Sequence, residues 1–219
     1  MKNYFDVLRK CPLFNNIRDE NLIEMLAFLG AKEINYKKGD TVLSEGDKAK
    51  YLGIVLKGSV QLVRVDYYGN RSILTNIEPP QLFGEAFAFA ELESLPVDVV
   101  AAEDTKIMLI DALHITHPCE NACAFDRQLT ANLLYIVANK NLVLHRKIEI
   151  TSKRSTREKL MTYLLLQAKA SKSNTFTIPY DRQELADYLG VERSGLSAEI
   201  SKLRNEKVLK CKRSTFTLL

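Results

Sequence analysis

The feature that most limits the fold of this chain is a change of texture after Pro118. Between Ile34 and Ile110 the sequence is a series of short β-rich runs: Thr41-Val42-Leu43, Leu52-Gly53-Ile54-Val55-Leu56, Val60 to Val65, Ser72-Ile73-Leu74, Val97 to Ala101 and Ile107 to Ile110. Gly39, Gly46, Gly58 and Gly69 punctuate them at intervals of 7, 12 and 11 residues. Short runs with turns at that spacing predict an antiparallel sandwich or barrel. Asp66-Tyr67-Tyr68-Gly69-Asn70 is expected to be a hairpin tip, where Gly69 supplies the positive φ. After Pro118 the pattern turns helical and stays so to Ile150. A separate helical stretch is expected to open the chain, from about Asn3 to Leu29. Leu22, Ile23, Met25, Leu26 and Leu29 recur there at helical spacing, and Asp19 is placed to cap them.

Within the long helical segment, Leu134, Val137, Asn141, Leu144 and Ile148 are spaced 3, 4, 3 and 4 apart. That is a coiled-coil seam with one polar member, Asn141, of the kind that fixes register in a dimer. Leu129, Leu133, Ile136 and Val143 form a second apolar stripe, interrupted by Lys140 and Lys147. One stripe is expected to cover the β-rich part and the other a second copy of the chain; the alternative is that both are intramolecular core.

The polar break Thr151-Ser152-Lys153-Arg154 marks the expected boundary of a C-terminal domain. Ser155 with Glu158, and Asp181 with Glu184, are capping boxes that start two helices. The second box predicts a helix from Arg182 to Leu189, ended by Gly190 in the left-handed conformation, with Val191 filling the corner. A further helix from Glu192 to Asn205 follows at once. Leu185, Ala186, Leu189, Val191, Leu196, Ile200 and Leu203 then converge on one core, and the pair reads as a helix-turn-helix. Flanking runs at Thr175 to Ile178, Val208 to Lys212 and Thr215 to Leu218 make it a winged one. In such a unit the first turn of the second helix points into the major groove. Its outward residues are Arg193, Ser194, Ser197, Ala198 and Lys202. Arg193 can donate twice to a guanine edge, and Ser194 or Ser197 can reach a base or phosphate. Lys202, Arg204, Lys153 and Arg154 read as phosphate contacts, with Arg182, Lys212 and Arg213 completing the expected DNA-binding set.

Charge points the same way. Residues 1–152 carry 17 Lys and Arg against 20 Asp and Glu, whereas residues 153–219 carry 14 against 7. The whole positive excess falls on the segment with the helix-turn-helix, as binding to a polyanion requires. Other classes are poorly served. The longest apolar run, Leu133 to Ala138, is six residues, far below the roughly 20 that span a bilayer. The N-terminus lacks the apolar stretch of a secretory signal. Four cysteines in 219 residues make no disulfide scaffold, so a cytoplasmic location is expected. There is no P-loop, no Gly-x-Gly-x-x-Gly, no His-Glu-x-x-His and no nucleophile–base spacing, so the chain is not expected to be an enzyme.

A β-rich domain, a long helix and a winged helix-turn-helix, in that order, resemble the cAMP receptor protein/FNR (Crp/Fnr) family of bacterial transcription regulators. The resemblance covers nearly the whole chain and includes Pro12-Leu13-Phe14, Lys38-Gly39-Asp40, Glu45-Gly46-Asp47, Lys57-Gly58-Ser59-Val60 and Phe83-Gly84-Glu85. It implies an α+β protein with a cyclic-nucleotide-binding-like jelly roll over residues 1–125, a dimerisation helix over 126–150 and a winged helix-turn-helix over 155–219. It also implies a homodimer on an inverted-repeat operator in double-stranded DNA, an effector that tunes affinity, and contact with RNA polymerase.

The departure from the family lies in the effector cassette. Members that bind cyclic nucleotides hold the phosphate in a segment that begins Gly-Glu and ends with Arg followed by Ser or Thr. Gly84-Glu85 is present, but the later positions read Leu95-Pro96-Val97-Asp98. No Arg occurs between Arg71 and Arg127, and Lys106 is the only Lys there. A buried phosphate without a cation or several donors costs several kcal/mol, so the effector is not expected to be a cyclic nucleotide. Gly84, Glu85, Phe87, Val97 and, on the long helix, His145 are the candidate residues for an unidentified small-molecule effector; no cofactor is expected. Phe83, Phe87, Phe89, Leu95 and Val97 would give the region an apolar lining, or simply sandwich core.

His117, Cys119 and Cys123 are weak metal or redox candidates, close to His114. The two cysteines stand at i, i+4, but Pro118 turns the chain in the middle of the His114 to Cys123 group and the spacing matches no zinc finger. The alternative function is thus a redox- or metal-sensing small-molecule module acting through protein partners.

Overall fold

The computed structural model describes residues 4–116 and 126–219. It divides into two compact units, residues 1–65 with 74–140 and residues 66–73 with 141–219.

The expected opening helix is three pieces: α1 (Phe5–Arg9), a single tight turn (Pro12–Phe14) and α2 (Asp19–Phe28). Pro12 stands at the start of the tight turn, where its missing N–H costs nothing, and so breaks the run. Asp19 is not the cap of α2. Arg18 holds that position in extended conformation, and Asp19 is the first helical residue, 3.2 Å from Arg9. A carboxylate there still favours the helix N-terminus.

Eight strands follow: β1 (Lys32–Tyr36), β2 (Thr41–Leu43), β3 (Tyr51–Lys57), β4 (Val60–Val65), β5 (Arg71–Ile77), β6 (Leu82–Phe83), β7 (Asp98–Ala101) and β8 (Thr105–Asp111). They form two antiparallel four-stranded sheets, β1-β8-β3-β6 and β2-β7-β4-β5. Helix α3 (Glu85–Phe89) is inserted between β6 and β7, and α4 (Leu113–Thr116) follows β8. β1 and β6 are additions to the sequence reading. β1 carries Lys32, Glu33 and Asn35 and hides no complete face, and β6 is only two residues long, so neither leaves a periodic signal.

Strand β3 explains the stacking. Residues 52–56 are all buried because alternate side chains serve two cores. Leu52, Ile54 and Leu56 join Leu22, Met25 and Leu26 of α2, whereas Val55 joins Val60, Phe83, Val99 and Ile107 inside the sandwich. β8 does the same, with Met108 and Ile110 in the first core and Ile107 in the second.

The long helix α5 (Asp126–Thr151) lays Leu129, Leu133 and Ile136 into the first of these cores. Asn132, buried beside them, donates to Leu13 O and Asn15 O, each at 2.8 Å. Val143, expected on this stripe, is half exposed instead, because the core has ended before that turn. The other stripe is left uncovered in the single chain: Leu134, Val137, Leu144 and Ile148 are 72%, 41%, 52% and 63% exposed.

In the second unit, helix α6 (Thr156–Ser171) is started by the Ser155–Glu158 capping box and α7 (Arg182–Leu189) by Asp181–Glu184. Gly190 ends α7 at φ 63°, ψ 55°, and α8 (Arg193–Asn205) follows. Strand β9 (Thr175–Thr177) and the hairpin β10 (Leu209–Lys212) and β11 (Thr215–Leu218) make a sheet in the order β10-β11-β9. Leu160, Tyr163, Leu164, Leu185, Ala186, Leu189, Leu196, Ile200 and Leu203 form its core, joined by Ile73 from the hairpin tip. Val191 packs against that core while staying partly open.

Lys147 of α5 is half-buried in this unit, where it donates to Tyr188 O and to Ile73 O and lies over the Tyr188 ring. Burial, helped by the nearby Lys159 charge, lowers its ammonium to about 7. Between pH 7 and 10 the unfolded chain keeps a proton that the folded chain has released, so this group makes stability rise with pH across that window. Lys147→Met is expected to remove that contribution, read as a smaller difference between urea midpoints at pH 7 and pH 9 than in the parent chain.

Candidate functional site

Helix α8 begins with an extended Glu192 that makes no side-chain cap, and its first turn contains no acidic residue. Arg193, Ser194, Gly195, Ala198 and Lys202 are exposed and Ser197 is half-buried, while Leu196, Ile200 and Leu203 turn inward. The exposed face is thus a cation, hydroxyls and small residues with little to obstruct a close approach. The carboxylates of Glu199 on α8 and of Glu206 just after it are held by α6: Arg157 lies 3.5 Å from Glu199 Oε1 and donates to both oxygens of Glu206, at 3.1 and 2.5 Å. This pairing ties α8 to α6 and cancels charge that would repel a polyanion. Lys202 lies 4.0 Å from Glu199 on the same helix.

The wing presents Lys210, Lys212 and Arg213, all exposed, with Arg213 at φ 54° in the turn. Ser214 anchors that turn by donating to Tyr180 O at 2.9 Å. Lys212, Arg213, Ser214, Thr215 and Thr177 line an open cleft of about 530 Å³. Arg182 is only half-exposed; it donates to Cys211 Sγ at 3.4 Å and its guanidinium lies 5.8 Å from the Phe216 ring. Arg154 is exposed and Lys153 half-buried.

Gly195 was missed by the sequence reading. It is helical, and a Cβ built on it meets nothing within 4 Å, so no neighbour in the chain requires a glycine there. Glycine inside a helix costs roughly 0.5–1 kcal/mol relative to alanine. Its signal was available as a glycine on the outward face of a helix.

In the β unit, Gly84 caps α3 in the left-handed region at φ 80°, and a Cβ there would stand 2.7 Å from Tyr51 O. Glu85 is buried and its Oε1 lies 2.6 Å from Lys140 Nζ of α5. Phe83 lies flat on Gly53, where a Cβ would fall 2.1 Å from the ring, so this phenylalanine is sandwich core. Leu95 and Val97 are buried, and the segment is tied to the turn before β3 by Gly46 N to Leu95 O, Leu95 N to Asp47 O and Glu45 N to Asp98 Oδ1. Asp98 therefore accepts a backbone hydrogen bond at the end of the segment. Phe87 is half-buried and Phe89 packs on the helix-facing core. His145 is exposed and lies in the second unit.

His117, Cys119 and Cys123 lie outside the described residues. Among the described residues no group of three His, Cys, Asp or Glu side chains is placed to hold a metal. Cys11 is fully buried, and that burial raises its thiol to about 12, which leaves it a protonated core residue.

Comparison with known proteins agrees with both halves of this geometry. The cyclic nucleotide-binding domain family matches residues 33–120, and the Crp-like helix-turn-helix domain family matches residues 158–219. The chain belongs to the Crp/Fnr family of transcription regulators. Among Crp/Fnr relatives, the probable transcriptional regulator flp of Lacticaseibacillus casei is 28% identical over 213 residues, covering 90% of this chain and 87% of that protein. The cyclic AMP receptor protein of Thermus thermophilus is 25% identical over 206 residues, covering 93% and 90%. The c-di-GMP responsive global regulator CLP of Xanthomonas campestris shares the fold with a TM-score of 0.77 at 17% identity, over 92% of this chain and 99% of that one. Crp/Fnr members are transcription regulators and not enzymes, and the helix-turn-helix is their DNA-binding domain.

Proposed function

We propose that this Crp/Fnr regulator acts as a homodimer that reads an inverted repeat, with the two α8 helices about 34 Å apart in successive major grooves. The observation that carries this reading is the outward face of α8, where Arg193 and Lys202 stand exposed beside small side chains while Arg157 holds Glu199 and Glu206. In this reading Arg193, Ser194, Ser197 and Ala198 meet bases, and Lys202, Arg154, Lys212 and Arg213 grip phosphates. Arg182 acts from behind the wing as a positioning group. The exposed seam of α5, with Asn141 in register, is the surface that meets the second copy. No helix among the described residues is long and apolar enough to cross a membrane; we place the protein in the cytoplasm, where contact with RNA polymerase converts occupancy of the operator into regulation.

The effector in this reading is not a cyclic nucleotide. The segment Leu95-Pro96-Val97-Asp98 offers no cation where the family pattern ends in Arg followed by Ser or Thr, and Glu85 is already paired within the chain. Calorimetry with cAMP and cGMP is expected to give only millimolar Kd values; micromolar binding of either overturns this part of the reading.

DNA affinity measured between 50 and 200 mM salt is expected to fall by orders of magnitude on cognate and random duplexes alike, as release of counterions from several phosphates per subunit requires. Arg193→Ala should cost about 1–3 kcal/mol on the cognate site and little on random DNA. Equal loss on both would make Arg193 a backbone contact. A chain that retains no duplex even at low salt is not a DNA-binding regulator.

Gly195→Ala separates folding from recognition. The added methyl should stabilise the free protein by up to about 1 kcal/mol, while weakening operator binding because it occupies space needed by the duplex. An alanine variant with higher Tm and unchanged operator Kd would show that the glycine has no role in recognition.

A further inference from the structure

A hollow of about 350 Å³ opens where the ends of β1 and β3 meet the start of β8. Tyr4, Asn35, Lys57 and Lys106 line it, together with the carboxylates of Asp40 and Asp104. Its volume falls within the range of small-molecule sites, roughly 300–1,000 Å³. It shares no residue with the segment from Gly84 to Asp98, with α8 or with the wing.

Strand pairing brings like charges together there. Lys57 of β3 stands opposite Lys106 of β8, and Asn35 of β1 stands opposite Lys106 on its other side. The register of β3 against β8 shifts between Val55 and Lys57, an irregularity of the kind that re-aims a side chain. Two like charges directly opposite in an antiparallel pair are destabilising. Lys106 is half-buried, with Glu33 Oε2 at 3.8 Å and its Nζ 4.8 Å from the centre of the Tyr4 ring. Lys57 is exposed and, among the described residues, forms no ion pair; the charge of Asp104 acts on it from a distance.

The third lysine of the hollow is already used. Lys37 Nζ donates to Asp104 at 2.7 Å, and Lys38 N donates to the same carboxylate at 3.3 Å. These bonds hold Asp104 below the usual carboxylate range. Asp40 accepts from Lys37 N at 2.7 Å through Oδ2 alone. The hollow therefore presents two ammonium groups at one end and a carboxylate oxygen and the exposed Asn35 amide beside them.

We infer that this hollow binds the phosphate ester of a small sugar, with the phosphoryl group between Lys57 and Lys106 and sugar hydroxyls on Asn35 and Asp40. A phosphoryl dianion bridges the opposed lysines through charge-assisted hydrogen bonds and so removes their repulsion. An inorganic anion meets only the cationic end, whereas a sugar hydroxyl donates to the Asp40 carboxylate that would repel a bare anion. The inference goes beyond the regulator reading and rests on no part of it, since every residue of the hollow lies in the β unit.

Calorimetry on the full chain with glucose 6-phosphate and ribose 5-phosphate tests it, with glucose and inorganic phosphate as controls. At least one ester is expected to bind with a submillimolar Kd, inorganic phosphate about tenfold more weakly, and glucose not at all. Lys57→Ala should weaken ester binding by about tenfold or more, while the Tm of the free chain stays level or rises because a repulsion is gone. Lys57→Gln, which keeps most of the side chain and removes the charge, should behave in the same way. Asn35→Ala should weaken the ester and leave inorganic phosphate unchanged. The ester should also raise the Tm of the parent and not that of either Lys57 variant. Failure of both esters to bind, equal affinity for inorganic phosphate, or parental binding by both Lys57 variants overturns the site. A loss of binding matched by a loss of Tm in both variants makes Lys57 a structural residue and overturns it as well. These readouts need no duplex, so a chain that fails to bind DNA would sink the regulator reading and leave this site standing.

Discussion

The β unit depends on one constraint: strand β3 must be apolar on both faces. Its odd and even side chains enter different cores, Val55 with the sandwich interior and Leu52, Ile54 and Leu56 with α2 and α5. A strand covered by a sheet on one side and by helices on the other reads as an unbroken apolar run, and β8 beside it behaves the same way. Each of these leucines and isoleucines contributes roughly 1.5–3 kcal/mol when fully buried. The side of α5 that covers them is thereby used up. Leu134, Val137, Leu144 and Ile148 are exposed in the single chain, so the helix that completes one core also carries the apolar seam proposed to meet a second copy.

In the second unit the economy is electrostatic as much as apolar. Capping boxes start α6 and α7, Gly190 turns the chain, and the core under Ala186 lets α7 and α8 cross closely. The acidic residues of α8 are drawn to Arg157, and its basic ones face outward. Net positive charge alone attracts any polyanion; the sorting of charge between the two faces of α8 is what turns attraction into orientation.

Much of this was legible in the sequence where the cause was local. Both capping boxes, the left-handed Gly190, the hairpin tip at Gly69 and the bounds of α7 follow from residues within four positions of each other, and each is found as read. The opening stretch was misread as one helix because the helical spacing of Leu22 to Leu29 was extended back over Pro12, where the backbone breaks. β1 and β6 went unread because neither alternates over a long enough span. Val143 lies on the stripe as read but is exposed, because periodicity gives the direction of a side chain and not the point at which the core stops.

The sequence by itself determined the order of β domain, long helix and winged helix-turn-helix, the outward residues of α8 and the lack of a cation in the cassette, because each rests on short-range pattern or on composition. Only the tertiary structure decided that Lys140 pairs with Glu85 and that Arg157 takes the carboxylates of Glu199 and Glu206. Those partners are 42 to 55 positions apart in the chain. Which charge meets which is set by the packing of whole helices and sheets, and no spacing rule in a linear sequence encodes it.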